Sequence, residues 1–212
     1  MTTIPYKIVV VGDAGTGKTT FLTRLMTGKC EKTCIPTVGA QVRPYTLYTQ
    51  TFPPGFSFGP IPIQPVQFEV WDCAGQEEFY YLNARAALVF VDKALPIAER
   101  MGQIKKWITR IQRVAGNIPV FAVHNKWDTQ KKHVLLHPAF KEKCMLGMSA
   151  LSSYANYGLD RPFLFFARRI TGNAKLLQVE APPIVIPIAL SVVTLPITAF
   201  GVECTFSTKL IQ

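Results

Sequence analysis

The segment that constrains this chain most is Gly12-Asp13-Ala14-Gly15-Thr16-Gly17-Lys18-Thr19, set between the apolar run Ile8-Val9-Val10-Val11 and Thr20-Phe21-Leu22. A buried strand that turns through glycines directly into a helix gathers successive backbone N–H groups around one point and aims the positive end of the helix dipole at it. Such a loop is a phosphate cradle. Asp13, Ala14, Gly15, Thr16, Gly17 and Thr20 form its wall, Lys18 adds a point charge for the β- and γ-phosphates, and the Thr19 hydroxyl is placed to reach Mg2+. The same junction commits the chain to parallel α/β construction, because a helix that follows a strand at once must return across the sheet.

The rest of the chain repeats that alternation. Tyr6 to Val11 reads as strand and Lys18 to Met26 as helix. Gln41 to Thr49 reads as a strand whose Pro44 places it on an edge, and Val66 to Asp72 as a second, alternating strand. Between these two, Gln50 to Pro65 holds five prolines, two glycines and three phenylalanines, which suits neither a helix nor a central strand and reads as an inserted loop. Ala86 to Asp92 and Ile118 to His124 are short apolar runs of the buried parallel type. In the helical stretch between them, Ile97 to Val114, one face carries Ile97, Met101, Ile104, Ile108 and Ile111. The other carries Arg100, Lys105, Lys106, Arg110 and Arg113. Cys144 to Ser149 is a last strand, and Pro162 to Ile170 a helix opened by proline, with Phe163, Phe166, Ala167 and Ile170 inward. This order implies a doubly wound α/β sandwich.

Three further constellations turn a phosphate loop into a nucleotide site. Asp72-Cys73-Ala74-Gly75-Gln76 follows a strand, so Asp72 stands at the strand's carboxyl end, where its carboxylate can hold a Mg2+-bound water. The Gly75 N–H can meet the γ-phosphate, a contact that lets go when that phosphate leaves, and the Gln76 amide is placed to orient an attacking water. Thr37 offers a second hydroxyl to Mg2+. Asn125-Lys126-Trp127-Asp128 ends another strand, where the Asp128 carboxylate can accept from both N1–H and the 2-amino group of guanine, a pair adenine lacks. Lys126 covers the base, and Ser149-Ala150-Leu151 supplies a backbone N–H for the guanine O6.

With these residues in this order, the sequence resembles the Ras-like small GTPases from about Tyr6 to Gly172, and within them most closely the Ran branch. The phrases that look Ran-like are Gly15-Thr16-Gly17-Lys18-Thr19-Thr20-Phe21, Trp71-Asp72 before Ala74-Gly75-Gln76-Glu77, Asn117-Ile118-Pro119, and Arg161-Pro162-Phe163-Leu164 with Ala167-Arg168. The chain's final Lys209-Leu210-Ile211-Gln212 has no prenylation cysteine, which fits that branch. The resemblance implies an α/β, doubly wound P-loop GTPase fold, with a six-stranded, mostly parallel sheet, one antiparallel edge strand and helices on both faces. It implies Mg2+-dependent hydrolysis of GTP to GDP, with Lys18 and Gln76 as catalytic groups. It also implies a molecular switch in nucleocytoplasmic transport, acting in nucleus and cytoplasm. The implied partners are importin- and exportin-type receptors, Ran-binding proteins, a GTPase-activating protein and an exchange factor, without direct nucleic-acid contact or membrane attachment.

The departures from that family are specific. Ala14 replaces a glycine beside the γ-phosphate, so hydrolysis is expected to be slow. Cys30 and Cys34 replace aromatic residues near the guanine and the catalytic glutamine, and the segment after Phe79 is shorter than in Ran. Two rival readings follow: a guanine-nucleotide-binding scaffold with little catalysis, and a membrane-associated Ras- or Rab-like switch. The second draws on the tail, which carries no charge from Ala181 to Val202, although its four prolines interrupt any helix there. The expected organisation is a GTPase domain over 1–175, with the 50–65 insert, and an apolar tail over 176–212. A net charge of +10 suits acidic partners, and five cysteines with no CxxC pair argue against a disulfide framework or a zinc ribbon.

Overall fold

The computed structural model describes residues 4–30, 37, 39–51, 61–73, 78–91, 95–126 and 146–182. The chain divides into two compact units, Met1–Ala181 and Pro182–Gln212, of which the first contains every described element. Gly75, Gln76 and Asp128, the centre of the proline-rich insert at 52–60, and nearly all of the apolar tail lie outside the described residues.

In chain order the elements are β1 (Tyr6–Gly12), α1 (Lys18–Thr27), β2 (Ala40–Gln50), β3 (Gln64–Cys73), a 3-10 turn (Glu78–Tyr81), β4 (Ala86–Val91), α2 (Ile97–Ala115), β5 (Val120–His124), β6 (Leu146–Ala150), α3 (Arg161–Thr171) and β7 (Leu177–Gln178). The sheet runs β6-β5-β4-β1-β3-β2-β7. β1 pairs in parallel with β3 and β4, and β4, β5 and β6 continue in parallel, while β2 is antiparallel to β3. The fold is thus a mixed α/β layer structure of the P-loop GTPase kind.

The strand count is seven where the sequence implies six. The extra member is β7, which pairs with β2 at Thr49 and Gln50. Two residues are too short a run for hydrophobic patterning to register. Among the described residues no other strand pairs with the outer side of β2, and Pro44, which has no N–H to donate, falls in that stretch. The expected inserted loop also narrows, because Gln64 and Pro65 already belong to β3. Thr49 Oγ1 donates to the Gln64 carbonyl at 2.9 Å and Gln50 Nε2 to that of Ile61 at 3.0 Å, tying the neck of the insert to the strand ends.

Period-two alternation divides the core. Ile8 and Val10 join Leu88, Phe90, Phe121 and Val123 against α1 and α3, through Phe21, Leu22, Phe163 and Phe166. Val9 and Val11 face the other way, with Val89, Val91 and Ala122 against Ile104, Trp107, Ile108 and Ile111 of α2. All four β1 valine and isoleucine side chains are fully buried, as expected for a strand covered on both faces. The inner stripe of α2 differs from its expected composition: Arg100 and Trp107 are buried, and Ile97 is 48 % exposed. Arg100 meets His124, the last residue of β5, so the turn carrying Ile97 has run past the end of the sheet. Among the described residues no helix is long and apolar enough to cross a membrane.

Candidate functional site

The carboxyl ends of β1, β3 and β5 converge on the loop between β1 and α1. Two glycines there are required by geometry. Gly12 has φ +142°, and a Cβ on it would run into the Phe90 carbonyl of the neighbouring strand. Gly17 caps α1 in the left-handed region at φ +88°, and a Cβ on it would strike the Asn125 amide. Thr16, 3 % exposed, closes the loop on itself by donating from Oγ1 to the Asp13 carbonyl at 2.8 Å, while Ala14 and Gly15 are exposed at its tip.

Lys18 folds back over the loop and donates from Nζ to the carbonyls of Gly12 at 2.8 Å and Asp13 at 3.0 Å. Partial burial holds its pKa below the ordinary lysine value, opposed by the charge of Asp72. The ammonium is therefore aimed by two carbonyls rather than by an ion pair.

Three oxygens predicted from separate segments meet at one point. Thr19 Oγ1 lies 2.7 Å from Asp72 Oδ2 and 2.8 Å from Thr37 Oγ1. Because the Thr19 O–H has one proton and donates it to the carboxylate, Thr37 is the donor in the second bond. Asp72 is fully buried, and its other oxygen, Oδ1, has no partner among the described residues. Burial raises its pKa above the ordinary carboxylate value, opposed by the Thr19 hydrogen bond and by Lys18 and Arg43. Two hydroxyls and a carboxylate are hard oxygen donors, and an orphaned buried carboxylate oxygen wants a cation, so the set fits Mg2+.

Asn125 is the hub on the other side of the loop. Its Nδ2 donates to the carbonyls of Thr16 at 3.3 Å and Gly17 at 3.4 Å. Its Oδ1 accepts from Ser153 N–H at 3.2 Å and Ser153 Oγ at 2.9 Å. Lys126 follows in the left-handed region, φ +64°, and donates from Nζ to the Gly15 carbonyl at 2.8 Å, which lays its stem alongside the loop.

Ser149-Ala150-Leu151, expected to supply a backbone N–H to the guanine O6, stands at the end of β6. Ser149 and Ala150 lie inside β6, with Ala150 level with His124, and the Leu151 N–H is committed to the His124 carbonyl at 3.0 Å. Successive amides alternate sides along a strand, so that of Ala150 points away from β5. The Ser149 hydroxyl donates to the Ala150 carbonyl at 3.0 Å. The turn that reaches Asn125 starts later, at Ser152 and Ser153, closed by the bridge between Ser152 and Tyr157. The serine-rich run 149–153 admits either register, and only the length of β6 selects the later one. Ser153, His124 and Arg100 are the residues near this site that sequence reasoning did not single out.

Residues 7–128 match the family described as "Ras of Complex, Roc, domain of DAPkinase", more than half of the 212 residues. The matched stretch runs from β1 through the phosphate loop, Thr37 and Asp72 to the end of the Asn125–Asp128 motif, and does not single out the Ran branch. The chain therefore belongs to the Roc family within the Ras-like GTPase superfamily, and residues 7–128 form the matched part of a Ras-like GTP-binding domain.

Proposed function

We propose that the chain binds GTP and GDP with Mg2+, hydrolyses GTP and acts as a nucleotide-state switch. The observation that carries this reading is the meeting of Thr19, Thr37 and Asp72 around the unpartnered Asp72 Oδ1. Thr19, Thr37 and Asp72 would hold Mg2+, which would neutralise charge on the phosphates. The chain's own residues do the rest. Lys18, released from the Gly12 and Asp13 carbonyls, is placed to pair with phosphate, and the loop amides and the start of α1 receive the other oxygens. Asn125 locks the loop to the base-side turn, and Asp128 selects guanine. Gln76 orients the attacking water, with Ala14 slowing that step by crowding the space between them. Among the described residues the Thr37 side chain is held by its bond to Thr19, so a ligand at the phosphate position changes what Thr37 is offered.

The finer reading, a Ran-like switch for import into and export from the nucleus, found in nucleus and cytoplasm, rests on the Ran-like phrases of the sequence. Its partners would be importin- and exportin-type receptors, Ran-binding proteins, an activating protein and an exchange factor. Titration of the purified chain with GTP, GDP and ATP, with Mg2+ and then with EDTA, tests the nucleotide reading. Guanine-selective, Mg2+-dependent binding is expected, and equal affinity for ATP would overturn it. Pull-down with a transport receptor in the GTP-loaded and GDP-loaded states tests the finer one, and nucleotide-independent binding would remove it.

A further inference from the structure

His124 is an imidazole pinned at both nitrogens one residue before the hub of the site. It is 8 % exposed; its Nδ1 lies 3.4 Å from Arg100 Nη1 and its Nε2 lies 3.3 Å from Met148 Sδ. A guanidinium only donates, so Nδ1 is the acceptor and the proton sits on Nε2, facing the thioether. Arg100 supplies this contact from α2, Met148 from β6, and β4 presents the uncharged Val91 level with the ring. Arg100 is itself 7 % exposed and its Nε has no partner. Among the described residues its side chain bonds only His124 and meets no carboxylate. A guanidinium kept so is costly, and a plain apolar side chain would pack the position better.

The backbone explains what this arrangement controls. The His124 carbonyl takes the Leu151 N–H at 3.0 Å, which holds the start of the base-side turn against β5. The next residue, Asn125, ties the Thr16 and Gly17 carbonyls to Ser153. Rotation of β5's last peptide would therefore strain the bonds of Asn125 to both segments. We propose that Arg100, His124 and Met148 form a brace across α2, β5 and β6 that sets the orientation of Asn125 and thereby the residence time of the guanine nucleotide. Arg100 and His124 are positioning residues, and the proposal rests on the guanine-nucleotide reading above.

The test is release of a fluorescent GDP analogue from the full chain, followed by stopped flow between pH 5.5 and 8, beside the melting temperature of the nucleotide-free protein. His124→Gln keeps a polar group near Nε2 but loses the acceptor for Arg100, whereas His124→Asn keeps an acceptor near Nδ1. His124→Gln and Arg100→Met are expected to speed release about tenfold, the worth of one hydrogen bond to a charged group, and His124→Asn to restore a rate near that of the unaltered chain. Burial first, and the Arg100 charge second, hold the imidazole pKa down to about 4, so release from the unaltered chain should be flat between pH 5.5 and 8. Unchanged release in both His124→Gln and Arg100→Met, with analogue retained by the unaltered chain, overturns the brace and leaves the nucleotide reading standing. Acceleration that tracks lost melting temperature equally in all three variants, His124→Asn included, reduces the brace to packing and overturns it too. Failure of the unaltered chain to hold the analogue at all overturns the nucleotide reading and the brace with it.

Discussion

Asp72→Asn should make the nucleotide-free protein more stable and the loaded protein worse at holding nucleotide. The carboxylate is fully buried, with Thr19 Oγ1 on one oxygen and nothing on the other. Its pKa is raised chiefly by burial. Between the ordinary carboxylate value and this raised one, the folded chain keeps a proton that the unfolded chain releases. The group's stabilising contribution is therefore present at low pH and lost as pH rises through the folded value. Above it, folding must carry a buried anion. Asparagine retains an acceptor for Thr19 and removes the charge, a gain of about 1–3 kcal/mol at neutral pH, lessened by the amide protons that need new partners. For a chain of this size each kcal/mol moves the midpoint by about 2–4 °C. Mg2+ needs the ionised oxygen, so in the unaltered chain its affinity should weaken as pH falls, and in the variant this dependence should vanish along with most of the affinity. Thermal melts of the nucleotide-free protein from pH 4 to 8, paired with Mg2+-dependent nucleotide release, measure both signs. A variant that melts lower than the unaltered chain at neutral pH, or that keeps full Mg2+ dependence, refutes the reasoning.

Ala14→Gly should raise single-turnover GTP hydrolysis several-fold in a phosphate-release assay, because it clears the exposed tip of the loop; an unchanged rate would acquit Ala14. Gln76→Leu should trap the GTP form, seen as GTP persisting on the protein by chromatography of the bound nucleotide. Ser153→Ala removes the 2.9 Å hydroxyl bond to Asn125 while leaving the backbone one, so nucleotide release should speed by a factor of a few, and equal rates would discount the later turn as the base-side element. Gly147→Ala should lower the unfolding free energy by about 1–3 kcal/mol in a denaturant titration without touching nucleotide selectivity, since a Cβ there collides with the rings of Phe121 and Phe165.

The parts of the fold legible in the sequence are those where one local pattern decides the outcome. Ile8 to Val11 is apolar at every position because β1 is covered on both faces, and Pro162 opens α3 by its fixed φ. Arg100 could not be read the same way. Helical periodicity sorts residues by the chemistry of their side chains, and an arginine counts as solvent-facing until its partner is known. That partner, His124, lies across the sheet on another element and carries no charge of its own. β7 was hidden for a related reason: two residues leave no pattern, and only the outer side of β2 gives them a place.

The site divides along the same line. Lys18, Thr19, Thr37 and Asp72 were readable because each stands at a fixed offset from a strand or glycine that reveals itself, and the structure brings the three oxygens among them to one point. Ser152-Ser153 escaped notice because it offers the same chemistry as Ser149-Ala150 three residues away, and which pair reaches Asn125 depends on how far β6 follows β5. That extent is set at His124, whose carbonyl holds Leu151 and whose ring is held by Arg100 and Met148. His124 and Arg100, which sequence reasoning did not single out for the site, thus stand where that turn begins. If that coupling is real, loosening His124 should affect release through the base-side turn and leave the Mg2+ dependence set by Asp72 intact, whereas Asp72→Asn should do the reverse. Combining Arg100→Met with Asp72→Asn should give additive changes in the logarithm of the release rate, as expected for sites that share no partner. A strongly non-additive result would mean that the two ends of the phosphate loop move as one body.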